Sequence, residues 1–181
     1  MEEKSAFTTW INLGKNVLLK RCKQEDALTL SQVATQSYTE HYTYLWEDGA
    51  ADYMTSHFNK QVLTQELLQT NSHFFLVFNK EQAIGFFKLN VLGQHTLELE
   101  RIYLLKKAIG KGIGKKLMLF VDHFAKKHHC NSIELKTMQL GKAWRFYEKM
   151  GFGVIGETSL QENLIKKQFS LMYVMRKNLS N

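Results

Sequence analysis

The stretch AIGKGIGKKLM (residues 108–118) places Gly110, Gly112 and Gly114 at every second position, directly before an apolar run with helical spacing. Glycines in such a place let the backbone come close to a ligand and let successive N–H groups point the same way. The helix start adds unpaired donors and partial positive charge, which suit a pyrophosphate. Lys111, Lys115 and Lys116 add full charges nearby. Two other phosphate-loop patterns fail. A Gly-x-x-x-x-Gly-Lys-[Ser/Thr] loop needs glycine where Ile109 stands and Ser or Thr where Lys116 stands. A dinucleotide Gly-x-Gly-x-x-Gly beginning at Gly110 meets Lys115 instead of its third glycine. What remains is Gly110-x-Gly112-x-Gly114 between a strand end and a helix; the competing reading is a tight turn with a solvated lysine face.

Other groups able to do chemistry lie close by in the sequence. LELER offers Glu98 and Glu100, two positions apart and so on one strand face unless a bulge intervenes. The segment from Ser37 to Phe58 mixes Tyr38, Tyr42, Trp46 and Tyr53 with Glu47 and Asp48, a combination that suits a polycation through cation–π contact and charge pairing. The competing reading has these aromatics filling a core and the acids facing water. His128, His129 and Cys130 are adjacent and so do not converge on one metal ion, and no second ligand pair follows at suitable spacing; we expect no metal.

The elements that must position these groups follow from periodicity. NVLLKRC (16–22) reads as a strand; Ala27, Leu30, Val33, Ala34 and Tyr38 fall on one helical face; Asn59 is an N-cap for a short helix. Residues 43–56 carry no clear period. HFFLVF, AIGFFKLNVL and HTLELERIYLL read as three strands, the first two joined by a hairpin-like NKEQ. Ile113, Leu117, Phe120, Val121 and Phe124 form one helix face, NSIELKTM is a strand, and GKAWRFYEKM is a helix closed by Gly151. FGVIGET and QFSLMYVMRKNL end the series as strands. Consecutive strands beside βαβ crossings predict an α/β fold: a mixed, mostly antiparallel sheet with helices on both faces.

The 181 residues fit one domain, read as residues 1–181, and no repeat or linker divides them. The +7 formal charge favours an anionic partner, but the lysines are dispersed and no nucleic-acid-binding signature is present, so no nucleic acid is expected. No apolar run reaches the roughly 20 residues of a membrane span, and MEEKSAFTTW lacks the basic and apolar regions of a signal peptide. With two cysteines, the simplest setting is a reducing cytoplasm.

LELERIYLLKKAIGKGIGKKLM followed by AWRFYEKMGF resembles the GNAT superfamily of acetyl-CoA-dependent N-acetyltransferases. The family's cofactor motif, Arg/Gln-x-x-Gly-x-Gly/Ala, closes its fourth strand, and its late motif is matched here by Ala143, Phe146, Tyr147, Gly151 and Phe152. The resemblance spans about residues 16–177. It implies an acetyl-CoA site formed by Ile102, Tyr103, Leu104, Ile109, Gly110, Lys111, Gly112, Ile113, Gly114, Lys115 and Ala143, with Tyr147 as general acid toward the coenzyme A sulfur and Glu100 as general base. Two positions depart from the pattern: Ile109 replaces Arg/Gln, and Leu140 stands where many members carry Asn. The segment W-E-D-G with SHFFLVFNKEQAIGFFKLN is also similar to the bacterial spermidine/spermine acetyltransferase branch, which implies a polyamine or other small amine bound through Tyr38, Trp46, Glu47 and Asp48. A homodimer is a further expectation from the resemblance. A fold that binds an acyl-CoA as a regulator, without turnover, and a basic nucleic-acid-binding module are the alternatives.

Overall fold

Ser72–Asn79 (β3) and Gln82–Leu92 (β4) are buried along most of their length, as central strands covered on both faces must be. In a computed structural model that describes residues 10–93 and 95–180, they sit within one sheet. The other strands are Trp10–Asn12 (β1), Val17–Arg21 (β2), Thr96–Leu104 (β5), Ser132–Met138 (β6), Gly153–Ser159 (β7) and Leu171–Asn178 (β8). Among the described residues the eight strands run in the order β1-β2-β3-β4-β5-β6-β8-β7, and every pair is antiparallel except β5–β6. This is the expected mixed α/β architecture.

The helices are Ala27–His41 (α1), Ala51–Phe58 (α2), Lys60–Glu66 (α3), Ile113–Lys127 (α4) and Ala143–Lys149 (α5). Strand alternation divides the apolar residues between two cores. Phe87, Leu97, Leu99, Ile133 and Leu135 pack beneath Leu117, Val121 and Phe124 of α4 and Tyr147 of α5. Phe74, Leu76 and Phe86 face the other way, against Leu30, Ala34 and Tyr38 of α1, Phe58 of α2 and Leu63 of α3. One helix layer therefore covers each face.

Local signals behave as their chemistry requires. Asn59 Oδ1 accepts the Val62 N–H at 2.9 Å and starts α3, and Gly151, at φ 90°, ends α5. β1 is too short to show periodicity; it is attached through a turn in which Gly14, Lys15 and Asn16 all have positive φ. Residues 43–56 resolve into a 3₁₀ turn, Thr43–Leu45, and the beginning of α2. The Asp48 carboxylate accepts the N–H groups of Ala50 and Asp52 at 2.9 and 2.8 Å, and the left-handed Gly49 and Ala50 hide that helix start from a periodicity reading. Residues 1–9, which carry the signal-peptide reading, lie outside the described residues.

Candidate active site

The single parallel pair opens partway along. Thr96–Leu99 of β5 pair with Ser132–Leu135 of β6, but Glu100–Leu104 and Lys136–Met138 run on without pairing to each other. The cause lies on the opposite edge of β5. Lys88 faces Arg101 and Leu89 faces Leu99, so Glu100 is the extra residue of a β-bulge, which bends its strand. Beyond the bulge, β5 keeps its ladder with β4 and leaves its other edge open. The Leu105 N–H bonds to the Ile84 carbonyl at 2.8 Å, which turns the Leu104 carbonyl toward the open edge. There it accepts from His41 Nε2 at 3.0 Å, and by alternation the Ile102 peptide groups face the same edge. Tyr103 lies on the opposite phase: its main chain belongs to the β4 ladder and its ring packs among the tyrosines of the α1 layer.

The last turn of α1 fixes this strand end twice. Besides the His41 contact, Glu40 Oε2 accepts the Lys106 N–H at 2.7 Å, and that bond holds the Glu40 carboxyl below its usual range. From Lys106 a 3₁₀ turn leads into the glycines. Gly110 and Gly112 have φ of 77° and 74°, and a Cβ at either would meet open space, so the conformation rather than crowding requires glycine. Among the described residues no side chain caps α4, and the first bond back to the turn is Lys116 N–H to the Gly112 carbonyl at 3.3 Å. The preceding N–H groups have no intrahelical acceptor, as at any helix start. Ile113 is buried as the first anchor of α4, whereas Ile109, Lys111 and Lys115 are exposed around the turn.

The third glycine also serves packing. A Cβ on Gly114 would lie 3.3 Å from the Phe146 ring, so this glycine lets α4 approach α5. Lys116 also leaves the expected group: its ammonium bonds to the Leu13 and Gly14 carbonyls at 2.8 and 2.6 Å and ties α4 to the turn after β1. The turn with free N–H groups is therefore Gly110–Gly112 and the start of α4, flanked by the exposed Lys111 and Lys115.

Across the opening, α5 begins at Ala143 and buries Tyr147, which is 9% exposed, against Phe146 and Phe152. Burial above all, with a smaller contribution from Tyr42, pushes the Tyr147 phenol well above its usual range. It keeps its proton at any physiological pH and can donate it. Leu140, 67% exposed, offers no polar group, but Gln139 at the end of β6 holds a buried Nε2 with no acceptor among the described residues. An open strand edge, uncapped N–H groups, a left-handed glycine turn and an orphaned amide together fit an extended, phosphorylated acyl carrier.

Glu100 is enclosed by charge. Its carboxylate meets Lys88 Nζ at 2.6 Å, an Arg101 nitrogen at 3.1 Å and Asn90 Nδ2 at 2.5 Å. Glu66, at the end of α3, binds the same two cations: Lys88 at 2.7 Å and Arg101 through two contacts of 3.2 Å. Lys88 and Arg101 are cross-strand neighbours and would repel, so the two carboxylates complete a four-membered ring of alternating charge. Burial alone would raise the Glu100 pKa, but Arg101, Lys88 and Asn90 together outweigh it and hold the group below the usual range. Glu98 shares Asn90 Nδ2 with Glu100, at 2.9 Å. The sequence singled out Glu100 but not Lys88, Glu66 or Asn90; the visible clue is Lys88 itself, which interrupts the apolar run of its strand in FFKLN.

The four residues expected to receive a cation do not come together as one surface. Tyr38 and Trp46 are core residues, with Trp46 Nε1 donating to the Tyr38 hydroxyl at 3.0 Å. Glu47 is exposed, and Asp48, also exposed, caps α2. The aromatic neighbour that the sequence left aside is Tyr42, which packs on Tyr38 and Tyr103 at ring distances of 5.0 and 5.3 Å and acts electrostatically on Tyr147. Tyr42 and His41 adjoin the open strand edge because they end α1 there.

Comparison with known proteins fits this geometry. Residues 32–152 match the model of the acetyltransferase (GNAT) family. The spermidine N(1)-acetyltransferase of Thermoplasma acidophilum is 26% identical over 160 residues, 85% of this chain and 98% of that protein. The crystal structure of the PaiA N-acetyltransferase of Thermoplasma acidophilum with coenzyme A superposes with a TM-score of 0.74 at 24% identity, covering 90% of this chain and 98% of the other. The ribosomal-protein-S5-alanine acetyltransferase of Vibrio fischeri gives a TM-score of 0.74 at 18% identity, covering 96% and 98%.

Proposed function

Because the chain belongs to the acetyltransferase (GNAT) family and uses acetyl-CoA as co-substrate, we propose that it acetylates a primary amine of a polyamine or a similar small cation. The observation that carries this reading is the opened β5–β6 pair, bordered on one side by the uncapped glycine turn and on the other by the buried, protonated Tyr147. The likeness to a spermidine acetyltransferase and the acids Glu98, Glu100 and Glu66 beside the tyrosine layer support a cationic acceptor. When bound, acetyl-CoA supplies an acetyl group activated as a thioester.

In this reading Gly110, Lys111, Gly112, Ile113, Gly114 and Lys115 hold the pyrophosphate end, with Ile109 and Ala143 alongside. The Ile102 and Leu104 peptide groups hold the extended arm and direct N–H donors at the acetyl carbonyl. Tyr147 protonates the departing thiolate. Glu100, kept ionised by its ring of cations, receives the amine proton. Its low basicity makes it a modest proton acceptor, and Lys88 and Arg101 balance the charge of Glu66 and Glu100, which leaves Glu98, in no ion pair among the described residues, as the acid that draws a cationic acceptor. Tyr38 and Trp46 support the acceptor side from beneath, and Glu47 and Asp48 add negative charge at its exterior.

We read residues 1–181 as one transferase domain acting as a homodimer in the cytoplasm. Two free cysteines, one half-buried and one buried, suit a reducing compartment, and among the described residues no helix is long and apolar enough to cross a membrane. The deciding experiment is release of coenzyme A thiol from acetyl-CoA across an amine panel. Spermidine and spermine should exceed monoamines and peptide amino termini in kcat/KM by at least about tenfold. A peptide preference would replace the polyamine assignment; coenzyme A binding without turnover on any amine would favour the regulator.

A further inference from the structure

Far along α4 from the glycine turn, a half-open cavity of about 740 Å³ lies between that helix and the β1–β3 end of the sheet. Its size is that of a small-molecule site. Phe75, Phe120 and Phe124 form the floor, in ring contact with one another at 5.2–6.0 Å, and Trp10, 44% exposed, forms a wall. From Ile113 to Phe124 the helix rises about 16 Å, so this cavity is separate from the cradle at the start of α4.

Among the described residues the formally charged side chains that line the cavity are all cationic. Arg21 and Lys23 line it, and among the described residues neither makes an ion pair with a carboxylate. Of the two nearest acids in sequence, Asp26 is engaged by Lys20 and by the Lys23 N–H, and Glu25 is exposed, does not line the cavity and makes no ion pair among the described residues. Arg21 donates instead to His73 Nδ1 at 2.7 Å, and a guanidinium cannot accept, so His73 is neutral with its proton on Nε2. Burial first, then the Arg21 and His128 charges, push His73 down to about 4. Arg21 thus keeps most of its donors and its whole charge beside an aromatic floor. His128 extends that floor by stacking on Phe124 at 4.2 Å.

We infer that this cavity is a second ligand site, for an amphipathic anion: a flat apolar body seated on Phe75, Phe120 and Phe124, bearing a carboxylate, sulfonate or phosphate that pairs with Arg21 and Lys23. Neither half suffices alone. The apolar floor would accept any greasy body, and the cations alone would be an ordinary solvated rim; their placement on one 740 Å³ space selects a ligand with both parts.

Two dyes separate these elements. 8-Anilinonaphthalene-1-sulfonate has the flat body and the anion, and N-phenyl-1-naphthylamine has the same rings without the charge. Each is titrated against the full chain with saturating coenzyme A present, so that the transfer site is occupied. The sulfonate should bind with 1:1 stoichiometry, at least about tenfold more tightly than the neutral dye, the scale of one charge-assisted contact. Arg21→Gln should weaken the sulfonate by about tenfold, leave the neutral dye within about twofold, and leave the KM for acetyl-CoA unchanged. Trp10→Phe, which keeps the wall apolar, should remove most of the energy transfer from protein to dye. Equal binding of the two dyes, indifference to Arg21→Gln, displacement by coenzyme A, or no binding at all would each overturn the proposal. Coincident thermal unfolding of the variants and the parent protein establishes that lost binding is not lost fold.

Discussion

The two flanks of the opened strand pair are built from different materials. On the α4–α5 flank, the cradle consists of backbone: left-handed Gly110 and Gly112, the uncapped start of α4, and one buried phenol brought in by α5. On the α1–α3 flank it consists of side chains from distant segments: Glu66 of α3, Lys88 of β4, and Glu100 and Arg101 of β5. Backbone donors carry partial charge at every pH and need no partner to stay ordered. A buried ring of ions depends on every member, since losing one leaves the others desolvated and uncompensated. Damage to the first flank should thus fall on catalysis and ligand affinity with the fold kept, whereas damage to the second should fall on folding and its response to pH along with the proton transfer proposed for Glu100.

The largest effect that sharpens this contrast is expected at Tyr147. Tyr147→Phe keeps the ring among Phe146 and Phe152 and removes only the donor, so kcat should fall about 10²–10⁴-fold, with unfolding stability changed by less than about 1 kcal/mol. Steady-state kinetics beside urea unfolding would show it; an unchanged kcat would remove Tyr147 from the proton path. Next comes Lys88→Met, which leaves Glu66 and Glu100 sharing Arg101 alone. Breaking a buried pair in this way costs about 3–5 kcal/mol, read as a lower urea midpoint. A loss below about 1 kcal/mol would mean that water compensates the ring and that the flanks are more alike than their composition suggests.

A smaller change is expected at the turn. Gly112→Ala forces a Cβ onto a residue at φ 74°, which costs about 1–2 kcal/mol. The KM for acetyl-CoA should rise by about tenfold as the N–H groups turn away, while Gly114→Ala, which presses on Phe146 instead, should lower stability without that selectivity for KM. The smallest effect concerns acid. Glu100 is held below the ordinary glutamate range in the folded state, so the unfolded chain takes up its proton first as pH falls. Its contribution is fully present above the ordinary glutamate value and drains away as pH drops through the lower, folded one. Glu100→Gln should flatten stability against pH in that acidic window relative to the parent protein, and a curve parallel to the parent's would assign the acid response to other carboxylates.

How much could be read in advance follows the same division. The strands around HFFLVF and AIGFFKLNVL, the helix after the glycines, the Asn59 cap and the Gly151 stop are all local patterns, and each stands where its spacing put it. Residues 43–56 escaped because their order comes from an Asp48 cap and two left-handed residues, signals weaker than a hydrophobic period. Tyr38 and Trp46 have the composition of a cation site, but they bond to each other inside the core; composition reports what residues can do and not which way they face.

By itself, then, the sequence determined the order of elements, the strand-to-helix glycine turn and the tyrosine-bearing helix that follows it, because each is encoded within a dozen neighbouring residues. Only the tertiary structure decided that Gly114 belongs to a helix contact and Lys116 to a staple, that Glu100 forms a bulge inside a ring of four charges, and that His41 meets the Leu104 carbonyl at the open edge. Those partners lie far apart along the chain, and no periodicity of one segment records which distant group will complete its hydrogen bonds once both are buried.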